Sequence, residues 1–270
     1  MTEVKKPLDG WLLASDIDNT LLFKGKIIDR NIEAIARFVS LGGKMTIASG
    51  RSIEATVGIA KTVGANCPVI ASNGAIIYDF QNNKVLRSAS LPEESKPFAW
   101  QILEKYDKLG ALAYTEKGVV LIKENKTMRD LIKYEGLKII DTDKQPVIPW
   151  SKIIFGAEPD YIDIVEKECN TSVYGAFIRS MDRFYEIMPF GVNKGEALLI
   201  LADMLKIDKD KTCAVGDYYN DVEFISCASI GSYVKNAPEE LKRKADFVGG
   251  SCQDGGVADF IDYIISLASK

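Results

Sequence analysis

Histidine is absent from the 270 residues of this chain. That absence removes Ser-His-Asp and Cys-His catalysis, imidazole-bound zinc and an imidazole general base. Any acid–base chemistry must fall to carboxylates, lysine or tyrosine. Cysteine is sparse and scattered: Cys67, Cys169, Cys213, Cys227 and Cys252 form no C-x-x-C pair, and their number is odd. Reduced thiols in a cytoplasmic protein are the expectation. No apolar run approaches the ~20 residues that a membrane helix needs. The opening stretch, Met1 to Asp9, is polar, includes Lys5, Lys6 and Pro7, and carries no secretory pattern. Basic excess is missing too. A net charge of −4 predicts no nucleic-acid partner and no anionic membrane surface. Neither G-x-G-x-x-G nor G-x-x-x-x-G-K-[ST] occurs, which argues against dinucleotide and nucleoside-triphosphate machinery.

The remaining composition is that of a globular protein, 47% hydrophobic and 27% charged, and the length predicts one large domain or two smaller ones. Strand-like and helix-like patterns alternate over the first 80 residues. Leu12 to Ala14, Lys44 to Ala48 and Val69 to Ala71 are strand candidates. Asn31 to Leu41 and Ser52 to Val63 are helix candidates, stopped by Gly42-Gly43 and Gly64. The pattern resumes late, with a helix over Gly195 to Lys206, a strand over Thr212 to Val215, strand seeds at Ile230 and Phe247-Val248, and a terminal helix over Ala258 to Leu267. Between them the chain mixes helical and β-rich stretches. Val119 to Ile122, Lys152 to Gly156, Phe177-Ile178 and Phe184 to Met188 are strand-like, the last two joined by a turn near Ser180 to Arg183. Tyr161 to Glu168 is helix-like. The fold class expected is α/β: a doubly wound, mostly parallel sheet over residues 1–84 and 189–270, interrupted by an α+β insert over 85–188.

The chemistry gathers where strands end. The apolar run Trp11 to Ala14 stops abruptly at Asp16-Ile17-Asp18-Asn19-Thr20. Two like charges so close together call for a cation or a shared proton. Ser49-Gly50 follows the second strand, Lys194 opens a helix, and Gly216-Asp217 with Asn220-Asp221 follows a late strand. Parallel strands present all their C-terminal tips on one edge, so these groups can meet in one cleft. Oxygen ligands favour a hard cation such as Mg²⁺, which keeps waters and commonly shares a phosphate. A lysine offsets crowded phosphoryl oxygens. One carboxylate can attack phosphorus while a second moves protons. A calcium loop is discounted: its sixth and twelfth places hold Leu21 and Ile27, where glycine and glutamate are needed.

With these motifs in order, the chain resembles the haloacid dehalogenase (HAD) superfamily, in its Cof-type, sugar-phosphatase-like branch with a C2-type cap. The residues that carry the resemblance are Asp16-Ile17-Asp18-Asn19-Thr20-Leu21-Leu22, Ser49-Gly50-Arg51, Asn73-Gly74-Ala75, Lys194-Gly195, Gly216-Asp217-Tyr218-Tyr219-Asn220-Asp221, Asn236-Ala237, Asp246-Phe247-Val248 and Gly255-Gly256-Val257-Ala258. Asn19 departs from the family, which more often has glycine there. The resemblance implies a Mg²⁺-dependent phosphatase acting on a small phosphorylated metabolite through an aspartyl-phosphate. In that reading Asp16 is nucleophile and metal ligand. Asp18 is the acid/base and touches the metal through its carbonyl. Lys194 compensates charge, and Thr20 orders the catalytic loop. Asp217 is a metal ligand, and Asp221 is a ligand or lies just behind one. Ser49, Gly50, Arg51, Asn73 and Asn220 lie on the phosphate and substrate side. The insert is a cap, with Arg179, Arg183 and Glu186 as candidates for contacting the leaving group. A phosphomutase or a non-catalytic sugar-phosphate sensor would keep the same motifs, and oligomeric state is not legible.

Overall fold

The computed structural model describes residues 6–141, 148–169 and 175–269. In chain order the elements begin with β1 (Leu12–Ser15), the hairpin β2 (Leu22–Phe23) and β3 (Lys26–Ile27), α1 (Asp29–Ser40), β4 (Lys44–Ile47), α2 (Ile53–Val63), β5 (Val69–Ala71), β6 (Ile76–Asp79) and β7 (Lys84–Ser88). Next come α3 (Ser95–Lys105), β8 (Gly110–Thr115), β9 (Gly118–Lys123), α4 (Lys126–Glu135), β10 (Lys152–Gly156), α5 (Pro159–Cys169), β11 (Ala176–Met181) and β12 (Phe184–Met188). The chain ends with α6 (Lys194–Met204), β13 (Thr212–Gly216), α7 (Val222–Cys227), β14 (Ile230–Tyr233), α8 (Glu239–Lys242), β15 (Phe247–Val248) and α9 (Gly256–Ala268).

The central sheet runs β15-β14-β13-β1-β4, and every pair in it is parallel. A single bridge between Ala48 and Ile70 continues it toward β5. Helices cover both faces, which is why β1 runs Leu12-Leu13-Ala14 without alternating. Leu13 joins Ile35, Phe38, Phe260 and Ile264 on the α1/α9 side. Leu12 and Ala14 join Leu198, Leu201 and Phe224 on the α6/α7 side. The expected doubly wound α/β core is what the chain forms.

Two antiparallel sheets accompany it. One is the meander β5-β6-β7. The other, in the order β11-β12-β10-β8-β9, is antiparallel throughout. Its register pairs Lys152 with Tyr114 and Ile154 with Glu186. Residues alternate across a strand, so Tyr114, Lys152, Ile154 and Glu186 share one face. The other face packs Ile153, Phe155 and Tyr185 with Ile102, Leu103 and Ile162, residues of α3 and α5. Sequence patterning misses β2, β3, β6, β7, β8, α3, α4, α7 and α8, and it places α1 two residues late. Cys67, Cys213, Cys227 and Cys252 are free thiols; the Cys169 side chain lies outside the described residues. Among the described residues no helix is long and apolar enough to cross a membrane.

Candidate active site

The parallel edge delivers the acids. The Asp16 N–H donates to the Val215 carbonyl, extending the β1–β13 pairing one residue past the strand. Asp217 follows β13 directly. Lys194 is the first residue of α6, whose N-cap, Asn193, accepts the Glu196 N–H at 2.8 Å. That cap sets where the helix starts, and hence where the lysine enters. Lys194 Nζ lies 2.6 Å from Asp16 Oδ1 and 2.7 Å from Asp221 Oδ1, and the residue is 1% exposed. Asp221 Oδ2 accepts the backbone N–H groups of Asp217 and Tyr218 at 3.0 and 3.3 Å. Gly216 permits this approach: a Cβ there would lie 2.3 Å from Asp221 Oδ2. Thr20 Oγ1 donates to Asp217 Oδ1 at 3.4 Å.

Carboxylate oxygens of Asp16, Asp217 and Asp221 lie within 4.8 Å of one another. Three buried acids face one ammonium. Burial, reinforced by the charges of Asp221 and Asp18, pushes Asp16 up to about 7 although Lys194 pulls it down. Burial and the charges of Asp16 and Asp221 push Asp217 up to about 9. Burial works against the Lys194 charge, yet Asp16 and Asp221 hold its ammonium above the ordinary lysine range. Full ionisation would set three negative charges against one ammonium, and without a cation the acids hold protons instead. An all-oxygen donor set with that surplus fits a hard divalent cation.

Asp18 points the other way. Arg51 grips it with a two-pronged fork, Nε to Oδ2 at 2.8 Å and Nη2 to Oδ1 at 2.6 Å. The Tyr134 hydroxyl, from α4, donates to Asp18 Oδ1 at 3.0 Å, and the Arg51 guanidinium sits 5.1 Å from the Tyr134 ring centroid. Asn19 adopts φ +56°, a left-handed conformation that glycine enters freely and asparagine tolerates. Its carbonyl accepts the Asn236 amide at 2.9 Å. Ser49 Oγ accepts the Arg51 N–H at 3.2 Å. Asn73, at φ +53°, donates to Glu186 Oε2 at 2.8 Å. Lys152 Nζ donates to the same oxygen at 2.8 Å and to the Gly50 carbonyl at 2.7 Å. Lys152 and Glu186, 1% and 3% exposed, thus reach from the antiparallel sheet to the loop after β4.

These groups line a cavity of about 460 Å³ between the two sheets, which includes Asp16, Asp18, Ser49, Gly50, Arg51, Asn73, Asp217 and Asn220. Lys194 and Asp221 lie beneath its floor. Of the insert residues singled out from sequence, Glu186 and Arg183 line it. Arg179 does not; it pairs with Asp163 and Glu166 and lines a neighbouring cavity. Sequence reasoning missed Tyr134, Glu135 and Lys152. Only Lys152 carries a local signal, a lysine opening an otherwise apolar strand.

A parallel α/β core with an acid-and-lysine cluster at its C-terminal edge defines a hydrolase class. The model of the haloacid dehalogenase-like hydrolases matches residues 13–261. The chain belongs to that family, in its Cof-type branch. Among its relatives is the 5-amino-6-(5-phospho-D-ribitylamino)uracil phosphatase YwtE of Bacillus subtilis, 29% identical over 94% of this chain and 98% of the relative. Another is the HMP-PP phosphatase of Escherichia coli O8, 24% identical over 93% of this chain and 94% of the relative. A haloacid dehalogenase-like hydrolase from Bacteroides thetaiotaomicron shares the fold, with a TM-score of 0.84 at 24% identity over 94% of this chain and 99% of that one.

Proposed function

We propose that this chain is a cytoplasmic, Mg²⁺-dependent phosphatase that hydrolyses a small phosphate monoester through a phosphorylated Asp16. The observation that carries the reading is the Lys194 ammonium bonded to Asp16 and Asp221, with Asp16 and Asp217 exposed to the cavity above them. Relatives named as phosphatases of small phosphorylated metabolites support it. Asp16 and Asp217 would hold the ion. Asp221, with Oδ1 on Lys194 and Oδ2 on two backbone N–H groups, would act mainly by orienting them. The ion would offset the surplus negative charge and polarise a phosphoryl oxygen.

Lys194 occupies Asp16 Oδ1, which leaves Oδ2 to attack. A bond forms from Oδ2 to phosphorus as the bond to the leaving oxygen breaks, and Asp18 gives that oxygen its proton. Water then attacks phosphorus, Asp18 takes a proton from it, and the bond to Asp16 breaks. Arg51 holds both Asp18 oxygens, so it must yield one before the leaving group can be protonated. Ser49 Oγ already accepts from Arg51 N–H, and its own hydrogen is free for a phosphoryl oxygen. Residues from about 85 to 188 serve as the cap that excludes water and contacts the leaving group.

A phosphate-release screen over a panel of metabolite monoesters with Mg²⁺ tests this. Release that stops with EDTA and in Asp16→Asn is expected. Isomerised sugar phosphate without free phosphate would indicate a mutase. Tight ligand binding without any release would indicate a sensor.

A further inference from the structure

The cavity holds a carboxyl that this chemistry does not use. Glu135 is the last residue of α4, directly before Gly136, whose left-handed backbone (φ +63°) ends the helix. A negative side chain there meets the negative end of the helix dipole, an unfavourable placement. Its hydrogen bonding is thin: among the described residues its one bond comes from the Tyr114 hydroxyl to Oε2, at 3.3 Å. Burial pushes the carboxyl up to about 7, against the pull of Lys152 and Arg51. Glu135 gives the buried Tyr114 hydroxyl an acceptor, and its remaining acceptor capacity lies on the cavity wall.

The surroundings limit what would bind there. Both cations near Glu135 are already matched, Lys152 by Glu186 at 2.8 Å and Arg51 by Asp18 at 2.6 Å. Neither is left over to receive an anion. Leu131, Ile154 and Phe184 make much of the adjoining wall apolar.

We propose that Glu135 is a specificity-determining residue: it accepts hydrogen bonds from the hydroxyl or N–H groups of an uncharged leaving group packed against Leu131, Ile154 and Phe184. Leaving groups that carry a second anion are disfavoured by the same carboxyl. The inference rests on the phosphatase reading only for where the phosphoryl group sits. Glutamine at this position keeps an acceptor oxygen, whereas leucine keeps only bulk.

Two probes separate recognition from chemistry: glucose 6-phosphate, rich in donors, and p-nitrophenyl phosphate, whose leaving group has none. The kcat/KM ratio of the first to the second falls by about tenfold or more in Glu135→Leu, the discrimination expected when a polar contact is lost. Glu135→Gln retains most of the ratio and gains relative activity on fructose 1,6-bisphosphate, whose leaving group is anionic. A ratio in Glu135→Leu that stays within about twofold of the parent overturns the proposal, as does loss of the ratio in both variants alike. If the parent releases phosphate from no monoester of the metabolite panel, the phosphatase reading fails. The affinity for glucose 6-phosphate relative to inorganic phosphate, measured by calorimetry with Mg²⁺, then decides the role of Glu135. A preference that collapses in Glu135→Leu but not in Glu135→Gln upholds it, and an unchanged preference overturns it.

Discussion

Asn19 stands where the family more often has glycine, at a left-handed backbone position. Its φ is +56°, and its carbonyl anchors Asn236, so the loop carrying Asp16 and Asp18 depends on that conformation. Asn19→Gly should fold at least as well as the parent, because glycine enters this region without strain. Asn19→Val should lose about 1–2 kcal/mol or more in urea unfolding, since a branched Cβ clashes in that region. Asp18→Asn should keep the fold and lose phosphate release by orders of magnitude in steady-state kinetics, because a carboxamide cannot carry a proton. Release at the parent rate would remove Asp18 from the acid/base role. The paired acids, Ser49, Lys194 and Asp217 are legible in sequence because each sits where an apolar run stops or a helix starts. Tyr134, Glu135 and Lys152 are not, because only antiparallel register and the approach of the two sheets bring them to Asp18 and Gly50.

At the scale of elements, the start of α6 decides where Lys194 stands. Asn193→Ala removes the cap and should cost about 1 kcal/mol by denaturant unfolding. It should also weaken turnover by displacing the lysine. Gly74 seats the same helix from below. Its φ is +96°, and a Cβ there would meet the Asn193 carbonyl oxygen at 2.2 Å. Gly74→Ala should therefore be the more damaging change in both assays. The longer helices and the strands of the parallel core were legible because their apolar faces or runs end at clear stops: Ser52 caps α2 and Gly64 ends it in a left-handed turn; α7 and α8 were not, since neither reaches two turns. The antiparallel strands were less so. In β8 both faces are buried, against α3 and α5 on one side and against α4 on the other. Alternation of polar and apolar residues therefore has no reason to appear there.

For the molecule as a whole, charge is the organising quantity. Asp16 and Asp217 rise from the ordinary 3.8 to about 7 and about 9. The folded chain then binds more protons than the unfolded chain between these limits, so without metal its stability falls as pH rises from about 4 to 9. A divalent ion removes the cause. Melting curves in EDTA should show that decline, and Mg²⁺ should restore most at the alkaline end, with protons released on binding. A pH-independent effect of Mg²⁺ would separate the ion from these carboxylates. The second organising feature is the link across the cavity: Lys152 to Gly50, Glu186 to Asn73 and Tyr134 to Asp18. Through it the antiparallel sheet touches both the loop after β4 and the Asp18 side chain, so in the proposed reading substrate choice and chemistry share one wall.

The central claim is that Asp16 itself becomes phosphorylated. Rapid acid quench during turnover, reduction with borohydride and peptide mass spectrometry read this directly, since an aspartyl-phosphate reduces to homoserine. The account predicts homoserine at position 16, absent in EDTA. Phosphate release with position 16 unmodified, or with the label on another residue, would contradict it.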